Sequence, residues 1–408
     1  MPLTLSETCQ SITPSVTLKL NAMVAELRQK GEDIIALGAG EPDFDTPKHI
    51  RDAAKRAIDE GKTRYTAASG LPVLRQAVAD YLMKDKGLHY TKEEVIVGNG
   101  AKQVLLGALQ AILNPGDEVL LPAPCWISYP EMIKMAGGRA VWVRANEAQG
   151  FVPSKAQLER AITPRTKALI LNTPSNPSGA VWTREQLQAV ADLAVRHGFY
   201  VISDEIYEKL IYDGAEHISI ATLNERIFQQ TIMVSGFSKA YAMTGWRLGY
   251  AAGPKAVISA MGAFQSHATG NPNSIAQYAG LAALTGDQQC VGDMAAAFAR
   301  RRGLMLSCLK KFPAVSCFEP KGAFYILLDV RRLLGQTYNG RMLNDSLDFA
   351  QALLKDAQVA VVPGEDFGAP GYCRLSYAVS DERILESMRR LGAFVDKLSA
   401  AAEAKIGA

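Results

Sequence analysis

Between residues 95 and 252 the sequence keeps returning to one pattern: a short apolar run, a polar or glycine-rich break, then an amphipathic stretch. The runs over 95–98, 118–121, 140–144, 167–172, 200–203, 231–234 and 248–252 read as strands. The segment 99–103 reads as turning into a helix that runs through Ile112, and the stretches over 154–162 and 183–197 read as helices. Residues 167–172 are apolar with almost no alternation, as a strand covered on both faces requires. Strands alternating with helices predict an α/β fold on a mainly parallel sheet. Such sheets bind ligands beyond the carboxyl ends of their strands. The polar clusters of this chain fall at those ends.

The flanks read differently. Residues 1–15 lack periodicity and suggest an arm, extended at its end by Pro14. A helix is expected over 18–30, closed by Gly31, then a short strand at 34–37. A turn-rich loop, Gly38 to Pro47, leads to helices at 49–60 and 71–86. Past Ser274 one long helical stretch is predicted to Lys311. Strands at 324–328, 360–362 and 373–377 then mix with helices at 347–355 and 381–397. The expected division is an arm (1–15), a large domain (46–285) and a small α+β domain built from 16–45 and 286–408, in keeping with 408 residues.

Composition removes several function classes. Forty-four basic against 41 acidic side chains leave +3, with no basic stripe, which argues against a nucleic-acid partner. No apolar run reaches the roughly 18 residues of a membrane helix, and the first residues do not form a secretory signal. The six cysteines are scattered with no C-x-x-C pair, so neither a metal site nor a disulfide framework is expected, and a cytoplasmic setting is.

Three clusters carry the chemistry. In Ser235-Gly236-Phe237-Ser238-Lys239-Ala240-Tyr241-Ala242-Met243-Thr244-Gly245-Trp246-Arg247-Leu248-Gly249-Tyr250, an arginine follows a lysine by eight positions. A lysine amine can form a Schiff base with an aldehyde, and an arginine fork suits a phosphate. Pyridoxal 5′-phosphate (PLP) carries both groups. Taken alone, the segment also reads as a solvated lysine in a turn before a strand. Asn172-Thr173-Pro174-Ser175-Asn176-Pro177-Ser178-Gly179 follows a buried strand; alone, it is a turn. In Ser203-Asp204-Glu205-Ile206-Tyr207, Asp204 is either a helix cap or a carboxylate facing a pyridine nitrogen, which would make that ring an electron sink. Tyr207 could then donate to an oxygen on the same ring.

These motifs, in this order, resemble the class I aminotransferases of PLP fold type I, and more narrowly the bacterial aspartate aminotransferase branch. The likeness runs from about Thr13 to Leu391 and includes the Gly38–Pro47 loop, the segment around Trp126 and Val361-Val362-Pro363-Gly364. It implies a large domain with a mixed, mainly parallel seven-stranded sheet, a smaller α+β domain, and a homodimer with shared active sites. It also implies that Lys239 holds PLP and shuttles a proton, Asp204 meets the ring nitrogen, Asn176 and Tyr207 meet the ring oxygen, and Trp126 stacks on the ring. Arg247, Ser238 and the backbone of Gly100, Ala101 and Lys102 would hold the phosphate, with Ser235 assisting and Tyr65 reaching the phosphate of the other subunit. Arg374 would grip the substrate α-carboxylate while the Gly40 loop closes over it.

One departure bears on specificity. Animal-type relatives take the distal carboxylate with an arginine from the partner, but Ser266 to Asn273 contains none. Lys102, Ser15 and Thr17 are the candidates here. Relatives acting on prephenate tend to carry a basic residue where this chain has Thr13. The expected activity is ping-pong transamination from L-aspartate to 2-oxoglutarate, its partners being amino acids and 2-oxo acids. Prephenate, aromatic or kynurenine-type transamination and cysteine-conjugate β-elimination are the other enzymatic readings. A PLP-fold regulatory module is the non-enzymatic one, although no helix-turn-helix segment is visible before residue 16.

Overall fold

Alternate residues of the seven runs face opposite sides, and each side finds its own helices. The computed structural model describes residues 4–14 and 16–406, with the backbone alone for 16–19, 21 and 399–406. Strands β1 (Val95–Gly98), β2 (Glu118–Ala123), β3 (Arg139–Arg144), β4 (Thr166–Asn172), β5 (Tyr200–Asp204), β6 (Thr231–Gly236) and β7 (Gly249–Ala252) form one sheet. Their order is β1-β7-β6-β5-β4-β2-β3. All neighbours are parallel except β7, which is antiparallel to both β1 and β6. This is the mostly parallel seven-stranded α/β sheet that the resemblance implies.

On one face Ile96, Leu121, Ile170, Ile202 and Val234 pack with side chains of the Ala101–Ile112, Ser128–Met135 and Lys255–Ala268 helices. On the other, Leu120, Leu169, Leu171 and Val201 meet the Arg184–His197 helix, while Val95, Val97, Met233 and Ala252 meet Pro72–Lys86 and Ser274–Thr285. Full burial of each such aliphatic side chain contributes about 1.5–3 kcal/mol. The Arg184–His197 helix is bounded by local chemistry: Thr183 and Gln186 form a capping box, and Gly198 ends it in the left-handed region.

A second sheet, β8 (Ser316–Cys317), β9 (Tyr325–Asp329), β10 (Val362–Pro363) and β11 (Tyr372–Ser376), is antiparallel in the order β10-β11-β9-β8. It shares a core with the Gln289–Leu309, Ser346–Ala357 and Asp381–Ile406 helices. Ile35–Ala36 pairs in parallel with Val359–Ala360, tying an early segment to a late one. Tyr207, Leu210 and Tyr212, just past β5, are buried in this second core. Side chains from the large sheet's edge are thus shared with the smaller one.

Four sequence expectations are corrected. The N-terminal segment contains a short helix, Glu7–Ser11, capped by Ser6, before the chain runs along the Ser128–Met135 helix. There the Thr13 N–H donates to Glu131 and Lys134 to the Ser11 carbonyl, both at 3.1 Å. The helices Ser128–Met135 and Lys255–Ala268 were not anticipated. Pro130 sits in the first turn of the former, where a missing N–H costs nothing. The stretch from 274 to 311 is two helices, Ser274–Thr285 and Gln289–Leu309, broken after Gly286. The strand at 360–362 is split between two sheets. No helix among the described residues is long and apolar enough to cross a membrane.

The loop leaving β4 docks on the segment leading into β9 through Gly179, whose carbonyl accepts from Lys321 (2.9 Å) and Gly322 (3.0 Å). Gly179 has φ +70°, and a Cβ there would lie 2.3 Å from the Pro320 Cβ. Gly292, in the Gln289–Leu309 helix, has nothing within 4 Å of such an atom. Gly179→Ala is expected to lose about 2–4 kcal/mol, and Gly292→Ala to gain up to about 1 kcal/mol. Thermal melts of the pair check this, and similar shifts in both would contradict it.

Candidate active site

Six strands point their carboxyl ends at one edge of the sheet, and reversed β7 brings its amino end to the same edge. That reversal places Arg247, two residues before β7, beside the segments that leave β1, β2, β4, β5 and β6. A cavity of about 280 Å³ opens there. Ala101, Lys102, Trp126, Asn176, Asp204, Tyr207, Ser238, Lys239 and Arg247 line it from the large sheet's edge, with Gly40 and Arg374 opposite. The size suits a small organic ligand.

Asp204 ends β5 and is buried. Tyr129 Oη donates to its Oδ2 at 2.7 Å, and the Ile206 N–H donates to Oδ1 at 3.1 Å. The carboxylate therefore caps a turn, and no helix follows it. Burial pushes its proton affinity up, to a pKa of about 6, against the pull of those two donors. Asn172 braces the neighbouring loop: its Nδ2 donates to the Asp204 carbonyl (3.0 Å) and its Oδ1 accepts from the Asn176 N–H (2.9 Å). Beneath lies a buried ion network in which Glu205, Glu208 and His217 bring their ligand atoms within 4.8 Å of one another. The Lys86 ammonium supplies the positive charge there, 2.5 Å from Glu208 and 3.7 Å from Glu205.

Lys239 Nζ donates to the Gly40 carbonyl at 2.5 Å. Burial pushes its pKa down to about 8; Glu41 pulls it up, while Arg374 and Arg247 push it further down. Near neutral pH a usable fraction is a free amine, a nucleophile. Tyr207 Oη lies 2.8 Å from Tyr325 Oη.

Two ends of the cavity suit anions. At one, Gly100 (φ +81°) begins the Ala101–Ile112 helix with no side-chain cap, so first-turn N–H groups remain open. A Cβ at Gly100 would fall 2.6 Å from Arg247 Nη2, so the guanidinium can lie against that turn because the residue is glycine. Arg247 is itself exposed, and its Nη1 donates to the Thr244 carbonyl at 2.9 Å. At the other end Arg374 is buried, and its Nη1 and Nη2 donate to neutral oxygens, Asn176 Oδ1 and the Gly38 carbonyl, each at 2.9 Å. Its Nε is buried without a partner. A buried guanidinium with a spare donor is poised for a carboxylate. Lys102 Nζ stands 4.8 Å from the Trp126 ring centroid, and burial, then Arg247, lowers its proton affinity.

The remaining expectations fall elsewhere. Tyr65 is 98% exposed, outside the cavity. Ser235 is buried below the rim, its Oγ 3.5 Å from the Glu205 carbonyl. Ser15 lies outside the described residues; Thr17 sits in the Val16–Gln29 helix, its side chain undescribed. Tyr129 and Tyr325 line the cavity but were not anticipated. The available signal was a hydroxyl in an apolar setting, at the start of a buried strand for Tyr325, since such a group needs a partner.

The folded protein holds the Asp204 proton more tightly than the unfolded chain does. This group's contribution to stability is therefore full below its ordinary 3.8 and lost as pH rises through about 6. In ligand-free protein Asp204→Asn is expected to be more stable than wild type above pH 6, by up to about 3 kcal/mol, the gap closing toward pH 4. Denaturation across pH measures this, and a pH-independent difference would contradict it.

Residues 32–391 match the family model described as aminotransferase class I and II. The chain is 46% identical to the aspartate aminotransferase of Geobacillus stearothermophilus over 96% of its own length and 99% of that protein. It is 47% identical to the aspartate/prephenate aminotransferase of Cereibacter sphaeroides over 97% and 99%. Among solved structures, that of aspartate aminotransferase from Thermus thermophilus with maleate superposes with a TM-score of 0.90 at 47% identity, covering 96% of this chain and 100% of that one. The chain belongs to the class I and II aminotransferases.

Proposed function

We propose that the cavity binds pyridoxal 5′-phosphate at Lys239 and that the protein transfers the amino group of L-aspartate to 2-oxoglutarate, giving oxaloacetate and L-glutamate in two alternating half-reactions. The observation that carries this reading is a lysine of depressed proton affinity in the same cleft as the buried carboxylate of Asp204. The residues present fit the cofactor: a buried carboxylate held by neutral donors, open helix N–H groups beside a guanidinium, and an arginine with an unused donor. When bound, the cofactor supplies an electron sink that makes the substrate Cα–H acidic.

The chain's own residues then divide the work. Asp204 holds a proton on the ring nitrogen by its charge, which is worth more in a dry site than in water. Asn176 and Tyr207 orient the ring through its oxygen, and Trp126 covers one face. Arg247, Ser238 and the first turn after Gly100 grip the phosphate. Tyr65, so exposed in one chain, reaches the phosphate of a second copy, which makes the functional unit a homodimer. Lys239 Nζ would hold the cofactor through its aldehyde carbon and, once free, would take the proton from the substrate Cα. Arg374 takes the α-carboxylate, with Gly40 beside it, and the cavity lies between units formed by 46–285 and by 16–45 with 286–408.

Lys102 is the cation free to meet a distal carboxylate, with Ser15 and Thr17 as neutral helpers. The names of the Geobacillus and Thermus relatives, and the dicarboxylate maleate with the latter, support aspartate as donor. Prephenate as an acceptor is the second reading, on the name of the Cereibacter relative.

Lys239→Ala is expected to lose the visible absorbance and the turnover together; near wild-type turnover would overturn the assignment. Lys102→Met is expected to raise KM for aspartate roughly 10–100-fold, the loss of one charge-assisted contact, and to leave a monocarboxylic donor much less affected. A steady-state screen of donors and acceptors, prephenate included, measures both. An equal effect on both kinds of donor would remove Lys102 from the distal site.

A further inference from the structure

Tyr207 and Tyr325 reach one side of the cavity from two different sheets. Tyr207 follows β5 of the large sheet, and Tyr325 opens β9 of the small one, neighbour to β11, which carries Arg374. Both are buried, and their hydroxyl oxygens are 2.8 Å apart. The guanidinium carbon of Arg374 stands 4.4 Å from the Tyr325 ring centroid. Any side chain at Gly40 would press on the Tyr325 hydroxyl, since a Cβ there would lie 3.3 Å from it.

Two hydroxyls that share one hydrogen bond must choose a donor. A cation over a phenol ring makes its O–H a better donor, because it favours the electron density left on the oxygen. Arg374 touches the Tyr325 ring at close range, and its charge opposes the burial that raises the Tyr325 proton affinity. Tyr207 lines the same cavity, and the cation over its ring, Lys239 Nζ, stands farther off, 5.9 Å from the centroid. The arrangement favours Tyr325 as donor and Tyr207 as acceptor, which leaves the Tyr207 proton for the ligand.

We propose that Tyr325 is a positioning residue: its hydroxyl donates to Tyr207 and thereby commits the Tyr207 proton to the ring oxygen of the cofactor. This rests on the placement of pyridoxal phosphate at Lys239. A donor on the ring oxygen competes for the negative charge that would otherwise hold the proton of the lysine–cofactor linkage. Tyr325 therefore lowers the pH at which that linkage loses its proton, acting only through Tyr207. Through its ring it also ties this setting to the arginine that meets the substrate carboxylate.

The test is a spectrophotometric pH titration of the visible band in holoenzyme, with wild type, Tyr325→Phe, Tyr207→Phe and the double variant. Phenylalanine at 325 keeps the ring under Arg374 and removes only the hydroxyl. Tyr325→Phe is expected to raise the transition by about half a pH unit to one unit, a three- to tenfold change in proton affinity. Tyr207→Phe should raise it further, and the double variant should coincide with Tyr207→Phe. No shift in Tyr325→Phe would overturn the assignment, as would an equal shift in the Tyr207→Phe background. Absence of a titrating visible band in wild type removes the cofactor reading and this assignment together, which is distinguishable from a normal wild-type titration that Tyr325→Phe leaves unmoved.

Discussion

A carboxylate buried among neutral donors governs this fold's chemistry. Asp204 is held by a phenol and a backbone N–H, so the hydrogen bonds to its carboxylate come from neutral dipoles. Its neighbour Glu205 is just as buried but answers to Lys86 and His217 on the opposite side of the strand exit. Burial raises both, yet the hydrogen bonds and charge around Glu205, with Lys86 its ammonium partner, take it down to a pKa of about 2 while Asp204 is left near 6. Asp204 ends β5 and Glu205 directly follows it; successive residues of extended chain point to opposite sides, so the ion pairs of Glu205 lie away from the cavity that Asp204 lines. The contrast needs a rigid β5, and β5 is rigid because it lies in mid-sheet with apolar helices on both faces.

The cavity is also a meeting of two sheets. The segment from Gly40 to Thr46 is fastened to both sides: Asp43 pairs with buried Arg301 in the second core at 2.6 Å, and Thr46 accepts from Trp246 and donates to the Ala242 carbonyl beside the first. Thr244 adds a bond to Glu41 at 2.8 Å. Fastened at both ends, this strip holds the Gly40 carbonyl where Lys239 can donate to it.

Much of this was legible in the sequence. The central strands announced themselves because burial on two faces demands unbroken apolar runs, and the polar clusters at their ends lined the same cleft, as sheet topology requires. The helices at 128–135 and 255–268 carry weak signals: one is masked by Pro130, the other has Gly262 and two serines among its apolar residues. The break at Gly286 is hidden in the sequence because both flanks are helical. Tyr129 and Tyr325 escaped for a different reason. Their partners are 75 and 118 positions away, and no local pattern encodes a bond that long-range packing creates. Tyr65 and Arg247 look dispensable in one chain because both are exposed, a property that sequence cannot supply.

The reversal of β7 has a mechanical consequence. Because β6 and β7 are neighbours joined at the reactive edge, residues 237–248 form one short connector that carries Ser238, Lys239 and Arg247 between two hydrogen-bonded strands. The amine and the guanidinium thus ride on one connector whose two ends are fixed in the large sheet. Loosening the smaller sheet would move Arg374 before it moved Ser238, Lys239 and Arg247.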